Sequence, residues 1–414
     1  MNTKFLSLDS KINTSEHQID LPKQATVNGG WQARAIRIAR AFAPAQSVIL
    51  QGFYGGGNLG DEAILASSLN TIRGVGGNPV VFAHDPAAVA TDWGVRSLDH
   101  KTAASLSHAH ALATAQAFLL GGGGLLKDYG GGSGNVSRWL RWIVRAKACG
   151  IPTMTWSLGV ENLIHEKSRR MVQEGLNGIS VITVRDERSA ELLEEVGVRE
   201  PIHVTADPVP ALVRPYRIED PQSNSSPTVV VSLRHWYALK FETVDETVFS
   251  SFLSELATGL SRLVRERGAR VLLIPFRTVP YDDDREVLSD LAQRMTEPSE
   301  LVDGPSAGLD TTIRLMASAD LVVGMRLHAA VIGMTLGIPT IAVEYMPKVR
   351  DYMAEVDSLD WVAPVHLLTE GWLMERARVA FDSSRAERSR LHKATDALAD
   401  RFEQNGKLLA RLLS

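Results

Sequence analysis

The stretch "ADLVVGMRLHAAVIGMTLGIPTIAVEY", residues 319–345, decides how this chain folds. Its first seven residues form a short apolar run that reads as a buried strand. A helical stretch begins at Arg326 and runs to about residue 336, where Gly337 and Pro339 punctuate its end. A second apolar run, 339–345, follows. A strand, a crossover helix and a second strand make one parallel unit. Arg326 and His328 arrive together inside this otherwise apolar segment. A buried guanidinium is costly unless something negative meets it, so its partner is either a protein carboxylate or a ligand. A strand that ends here and opens into a helix turns both side chains toward a cleft, and an anionic ligand is the partner expected.

Working outward, the same unit repeats. Strands are expected at 47–52, 79–84, 117–122, 152–159, 180–186 and 201–207, with helices such as 61–73, 135–149, 166–177 and 187–196 between most of them. The segment "RPYRIEDPQSNSSP" (214–227) has three prolines and three serines and no helical period, so it reads as a linker. A second set follows, with strands at 228–234, 270–276, 319–325 and 339–345. Its helices are expected near 245–267, 282–295, 309–317, 326–336 and 347–355. From 365 to 414 the chain is helical and rich in Arg and Glu. The expected organisation is an N-terminal arm with a short basic helix (1–45), an α/β domain on the acceptor side (46–213), a linker (214–227), an α/β domain on the donor side (228–364) and C-terminal helices (365–414). Two Rossmann-like doubly wound domains with a C-terminal helical extension are similar to the glycosyltransferase-B architecture. Such sheets bind ligands at the carboxyl ends of their strands and in the cleft between domains.

Composition narrows the function. The chain has 414 residues, 44% of them hydrophobic and 22% charged, which suits two globular domains. A net charge of −4 argues against a nucleic-acid binder. Cys149 is the sole cysteine, so no disulfide within the chain and no cysteine-rich metal site can form; in "RAKACGIP" it reads as a small core residue. The first residues lack the apolar core of a signal peptide, and no run of about 20 apolar residues offers a membrane span. A cytoplasmic protein is expected. The basic amphipathic segment 31–43 is expected to pack on the following domain, with a peripheral contact at the inner face of the membrane as the second reading.

Five strand ends carry the chemistry. "GFYGGGNLGDEAIL" leaves a strand through four glycines, and Asn58 or Asp61 can cap the helix that follows. Gly57, Asn58 and Asp61 are candidates for contact with an anionic or sugar ligand. The motif is neither a Walker loop nor a spaced dinucleotide fingerprint. "LLGGGGLLKDYGGGSGN" (119–135) reads equally as a flexible loop or as the floor of the cleft, with Gly123 and Gly124 against the ligand and Lys127, Asp128 and Tyr129 as its large polar groups. Arg185 and Asp186 read as a local pair that caps a helix, and Asp207 as a similar cap or a closure of the interdomain edge. "VVVSLRHWY" (229–237) aims Arg234 at the cleft, followed by His235 and Trp236. Arg326 offers a bidentate fork for carboxylate or phosphate. His328 offers a proton near neutral pH.

These motifs, in this order over about residues 50–355, resemble the polysaccharide pyruvyl transferase family. The resemblance rests above all on "GNLGDE" and "MRLH", with "LLGGGGLL", "SLGV", "VRDERSAELLEEVGV", "ADPV" and "VSLR" in support. It implies transfer of pyruvate from phosphoenolpyruvate onto two hydroxyls of a sugar, giving a cyclic ketal in a cell-surface glycan or exopolysaccharide. It further implies that Arg326 and His328 form the donor-binding Arg-Leu-His element and that Arg234 is a second donor-binding arginine. His328 is expected to act as general acid with His235 as its rival, Lys348 to neutralise the departing phosphate, and no cofactor or metal to take part. The acceptor is expected to be a carbohydrate, with a lipid-linked, nucleotide-linked or polymeric form left open. Where many members read Tyr-Asp-Pro-Lys, this chain has Tyr345-Met346-Pro347-Lys348. Glu344 lies two residues before the lost acid. Two other functions fit the same motifs: a nucleotide-sugar glycosyltransferase, which Glu344 beside Lys348 keeps open, and a non-catalytic sugar- or anion-binding protein.

Overall fold

The computed structural model describes residues 28–101, 105–128, 133–218, 226–235, 246–280, 282–382 and 385–414. The arm 1–27, Tyr129 with the glycines at 130–132, Trp236 and residues 219–225 of the linker lie outside the described residues.

Seven parallel strands build the first sheet, in the order β3-β2-β1-β4-β5-β6-β7. They are β1 Ser47–Gln51, β2 Pro79–Ala83, β3 Arg96–Asp99, β4 Ala115–Leu126, β5 Thr153–Val160, β6 Ile182–Val184 and β7 Ile202–Val204. The second part contributes β8 Thr228–Ser232, β9 Arg270–Leu273, a small antiparallel hairpin of β10 Thr278–Val279 with β11 Asp282–Asp283, then β12 Glu300–Leu301, β13 Leu321–Gly324, β14 Thr340–Glu344 and β15 Val362–Pro364. Its main sheet runs β12-β9-β8-β13-β14-β15, all parallel. The central strands are Val/Ile/Leu-rich and wholly buried because helices cover both faces. In the opening stretch, Val322 on β13 pairs with Val230 on one side and Thr340 on the other.

Chain direction across each sheet reverses between β1 and β4 and between β8 and β13. At such reversals a crevice opens beyond the carboxyl ends of the strands. The segments that leave these four strands carry Phe53 and Asn58, Lys127, Arg234, and Arg326.

The glycine-rich run after Leu120 is mostly strand: β4 continues to Leu126, so the flexible-loop reading fails for Gly121 to Gly124. Strands β3, β12 and β15 escaped the sequence reading. The helix Arg385–Leu413 crosses from the second sheet back to the first. Its Asn405 donates to Ser157 Oγ at 3.0 Å and accepts from Thr183 Oγ1 at 2.7 Å in the first domain. The linker residue Arg217 is tied to the same helix, through Asp396 at 2.8 Å and Thr395 Oγ1 at 2.8 Å. The basic helix Asn28–Arg40 packs on the first domain, where Arg40 donates to the carbonyls of Leu112 and Ala115. Ile38 and Phe42 stay exposed. Among the described residues no helix is long and apolar enough to cross a membrane.

Candidate active site

A cavity of about 300 Å³ lies between the carboxyl ends of the two sheets. Seven arginines and lysines line it against two carboxylates, Asp61 and Glu161, so the space suits an anion.

The helix Leu327–Thr335 starts at the mouth of β13 and presents His328. The imidazole Nε2 lies 3.3 Å from Asp207 Oδ2, across the boundary between the two parts of the chain. Asp207 also accepts from the Val209 amide at 3.0 Å, so it holds the first residue of the next helix while it meets His328 across the interdomain edge. Burial would raise the Asp207 carboxyl, but His328 and Arg185 outweigh it and hold it below the usual range. The other ring nitrogen, Nδ1, abuts Gly60 in the first turn of the helix Leu59–Gly74. A Cβ on Gly60 would stand 2.1 Å from it, so a side chain there would displace the histidine. "GNLGDE" thus fits its second glycine to the histidine of "MRLH". Asn58 caps the same helix, accepting from the Gly60 amide at 3.3 Å and donating to Asp61. Burial raises the Asp61 carboxyl, opposed by His328 and Asn58.

Arg326 corrects the sequence reading. Its partner is protein carboxylate, not a ligand: Nε lies 3.0 and 3.2 Å from the two Asp284 oxygens, and Nη2 bonds Asp284 and also Asp282 at 3.0 Å. Only Nη1 takes no partner among the described residues. Arg326 is 7% exposed, and such burial of a guanidinium demands a fixed counter-charge whether or not a ligand is present. Asp284 itself is fully buried and accepts from the amides of Phe276 and Arg277, each at 3.0 Å.

Asp282 gathers three arginines. Arg277 bonds it at 2.8 Å, Arg326 at 3.0 Å, and Arg234 lies 3.9 Å away. Burial would raise its carboxyl; Arg326, Arg234 and Arg277 hold it below the usual range. Arg234 also lies over the Tyr345 ring, 5.1 Å from its centre, with Lys348 5.8 Å from the same ring. Burial would raise the Tyr345 phenol, but Lys348, Arg234 and Arg326 bring it down to about 8. Lys348 contacts Glu161 at 3.4 Å and Lys127 approaches the same carboxylate at 3.8 Å. Gly124 lies so close that a Cβ there would meet Glu161 Oε1 at 2.0 Å.

The cavity therefore brings together Arg234, Arg326, His328, Lys348, Asn58, Asp61, Gly123 and Gly124. Three expected residues stand outside its lining. Glu344 faces the other side of β14 and forks onto Arg350 at 2.7 to 3.1 Å, because neighbours on a strand alternate and Tyr345 takes the inward side. His235 turns to Glu286 at 3.6 Å. Gly57 adopts a left-handed φ of 66° and shapes the turn against Val279. Arg185 bonds Asp186 at 2.9 Å, Asp186 caps the helix Glu187–Glu195, and Arg185 also lines the cavity. Met346 is 8% exposed before the helix Pro347–Glu355.

Sequence reasoning missed Arg277, Asp282, Asp284 and Tyr345. Arg277 obeys the same strand-end rule one residue past "RVLLIPF". The run Asp282-Asp283-Asp284 before a helix was the available signal for a carboxylate counterpart to Arg326. Among the described residues no cluster of His, Cys, Asp and Glu could hold a metal ion.

Solved structures with this architecture include the UDP-GlcNAc 2-epimerase of Methanocaldococcus jannaschii, at 12% identity, covering 82% of this chain and 93% of that one, with a TM-score of 0.55. The Neisseria meningitidis UDP-GlcNAc 2-epimerase bound to UDP-GlcNAc matches at 12% identity over 88% and 100%, with a TM-score of 0.55. A glycosyltransferase from Rickettsia africae matches at 11% identity over 89% and 97%, also at 0.55. These likenesses show a glycosyltransferase-B-like fold. None of the curated protein sequences matches the chain. The model of the polysaccharide pyruvyl transferases matches residues 58–346, most of the chain. The chain belongs to the polysaccharide pyruvyl transferase family.

Proposed function

We propose that the cavity binds phosphoenolpyruvate and transfers its pyruvyl group to two hydroxyls of a sugar, forming a cyclic ketal on a cell-surface glycan or exopolysaccharide. The observation that carries this reading is the cationic wall of Arg234, Arg277, Arg326 Nη1 and Lys348 beside the Asp207–His328 pair. Phosphoenolpyruvate carries a carboxylate and a phosphate, and cations on one wall suit both. His328 delivers a proton to the methylene carbon, and Asp207 holds its ring for that task. The adjacent carbon becomes electrophilic and takes the oxygen of the first hydroxyl, whose proton passes to Asp61. The C–O bond to phosphate then breaks, Lys348 and Arg234 stabilise the leaving group, and the second hydroxyl closes the ketal as it gives its proton to the imidazole of His328, which regains the proton it delivered. Arg326 acts chiefly through position, since two of its three nitrogens are committed to Asp284 and Asp282.

A nucleotide-sugar glycosyltransferase loses support, because Glu344, the residue that read toward a ribose, is turned away onto Arg350. The deciding experiment is incubation with phosphoenolpyruvate and candidate glycans, with release of inorganic phosphate and the pyruvate adduct followed by mass spectrometry. Thermal shift separates the donors: phosphoenolpyruvate is expected to stabilise the protein, and stabilisation by nucleotide sugars alone would overturn the reading. His328→Ala is expected to keep donor binding and lose phosphate release.

A further inference from the structure

The cavity has a second end, at the carboxyl ends of β1, β2 and β3, with Arg138 also in its lining. Four rings stand there in a row. Trp139 stacks on His100 at 4.8 Å with planes 16° apart, His84 lies 6.1 Å beyond, and Phe53 lies 4.7 Å from His84. Arg277 sits over Phe53 at 5.5 Å and joins the row to the arginine cluster. All four rings line the cavity.

His100 is the unusual member. It is 1% exposed, and among the described residues neither ring nitrogen has a hydrogen-bond partner. Its backbone is fixed, because the carbonyl accepts from Trp142 Nε1 at 2.8 Å and from Arg141. Burial keeps the imidazole neutral, with its pKa lowered to about 3. One nitrogen is then a donor, the other an acceptor, and neither is spent. An unmet buried polar group is costly, so a ligand that meets it gains selectivity.

The chemistry of that ligand follows from the ring. A neutral imidazole holds no charge for a phosphate or carboxylate. A hydroxyl both donates and accepts, so it answers either nitrogen. Trp139 and His100 spend facing ring surfaces on each other and offer edges, which suits the C–H and O–H groups of a saturated ring better than a flat base. We infer that this row of rings seats the acceptor sugar, and that His100 reads a hydroxyl of an uncharged hexopyranose unit. The inference rests on the proposed pyruvyl transfer only in calling that sugar the acceptor.

The test uses the full chain with methyl glycosides of glucose, galactose and mannose, by saturation-transfer NMR, and phosphoenolpyruvate separately by calorimetry. At least one glycoside is expected to bind the wild type. His100→Phe keeps the stacking and deletes both nitrogens; it is expected to weaken that glycoside ten-fold or more and to change phosphoenolpyruvate affinity less than two-fold. His100→Gln keeps a donor and an acceptor and is expected to stay within three-fold of wild type. Glycoside binding unchanged in His100→Phe, equal loss in both variants, or no glycoside bound by the wild type would each overturn the inference. So would transfer to the base protons of uridine with none to the glycosides. Glycoside binding without phosphoenolpyruvate binding would overturn the donor assignment and leave the sugar seat standing.

Discussion

Arg326 lies in the most apolar segment of the chain, and the structure gives the reason: two aspartates 42 and 44 positions earlier supply its charge. Removing one member of a buried pair leaves the other uncompensated. Asp284→Asn is therefore expected to destabilise the protein by about 2–4 kcal/mol, measured by urea unfolding, even without any ligand. Tyr345 makes a second test. Below about 8 its phenol is neutral; above, a phenolate stands beside Arg234 and Lys348 and repels an anionic donor. Phosphoenolpyruvate affinity is expected to fall as pH rises through 8 in the wild type, and Tyr345→Phe is expected to lose that limb. Arg234, Arg326 and His328 were legible because each follows a buried strand in a parallel unit. The partner of Arg326 was not, since local sequence cannot say which distant loop supplies an aspartate. His100 was hidden for another reason: it follows β3, whose residues Arg-Ser-Leu-Asp are half exposed and give no apolar run.

At the scale of elements, the interior strands and the edge strand β7 announced themselves, and the other three edges did not. β3, β12 and β15 sit at sheet edges, are two to four residues long, and carry charge or proline, which is how edges avoid pairing with other chains. The helix Leu59–Gly74 shows how an element serves both fold and site. Its first turn holds Glu62, which accepts from the Gly55 amide at 2.8 Å and from Trp93 Nε1 at 3.0 Å and so fixes the glycine turn before it. Burial pushes the Glu62 carboxyl up to about 7. Between 4.5, its ordinary value, and 7 the folded chain keeps a proton that the unfolded chain has lost. The carboxyl therefore withdraws stability as pH rises through that window. Glu62→Gln, which mimics the protonated acid, is expected to show no such slope. Its stability relative to wild type should rise by roughly 1–3 kcal/mol between pH 4 and pH 8, read from chemical denaturation at each pH.

For the whole molecule, the two parallel sheets were readable, whereas the return of the last helix was not. Helical periodicity tells that Arg385–Leu413 has an apolar face, but not which domain receives it. It reaches both: Leu391 and Leu409 belong to one continuous apolar cluster with Leu65 and Trp156 of the first part and Val230 and Met334 of the second. Asn405→Ala is expected to cost about 1–3 kcal/mol, because it removes two buried hydrogen bonds, to Ser157 and from Thr183, each worth about 0.5–1.5 kcal/mol. A shared core also predicts one calorimetric unfolding transition for the whole chain; two resolved transitions would contradict it.

The same helix bears on traffic through the site. Two lobes joined only by a tether swing apart freely, and their cargo leaves through the gap. Here one helix is embedded in both lobes, so wide separation would tear apolar surface from apolar surface. Loading and unloading are then expected to proceed through the standing mouth of the cleft. Small-angle scattering curves with and without phosphoenolpyruvate should superimpose.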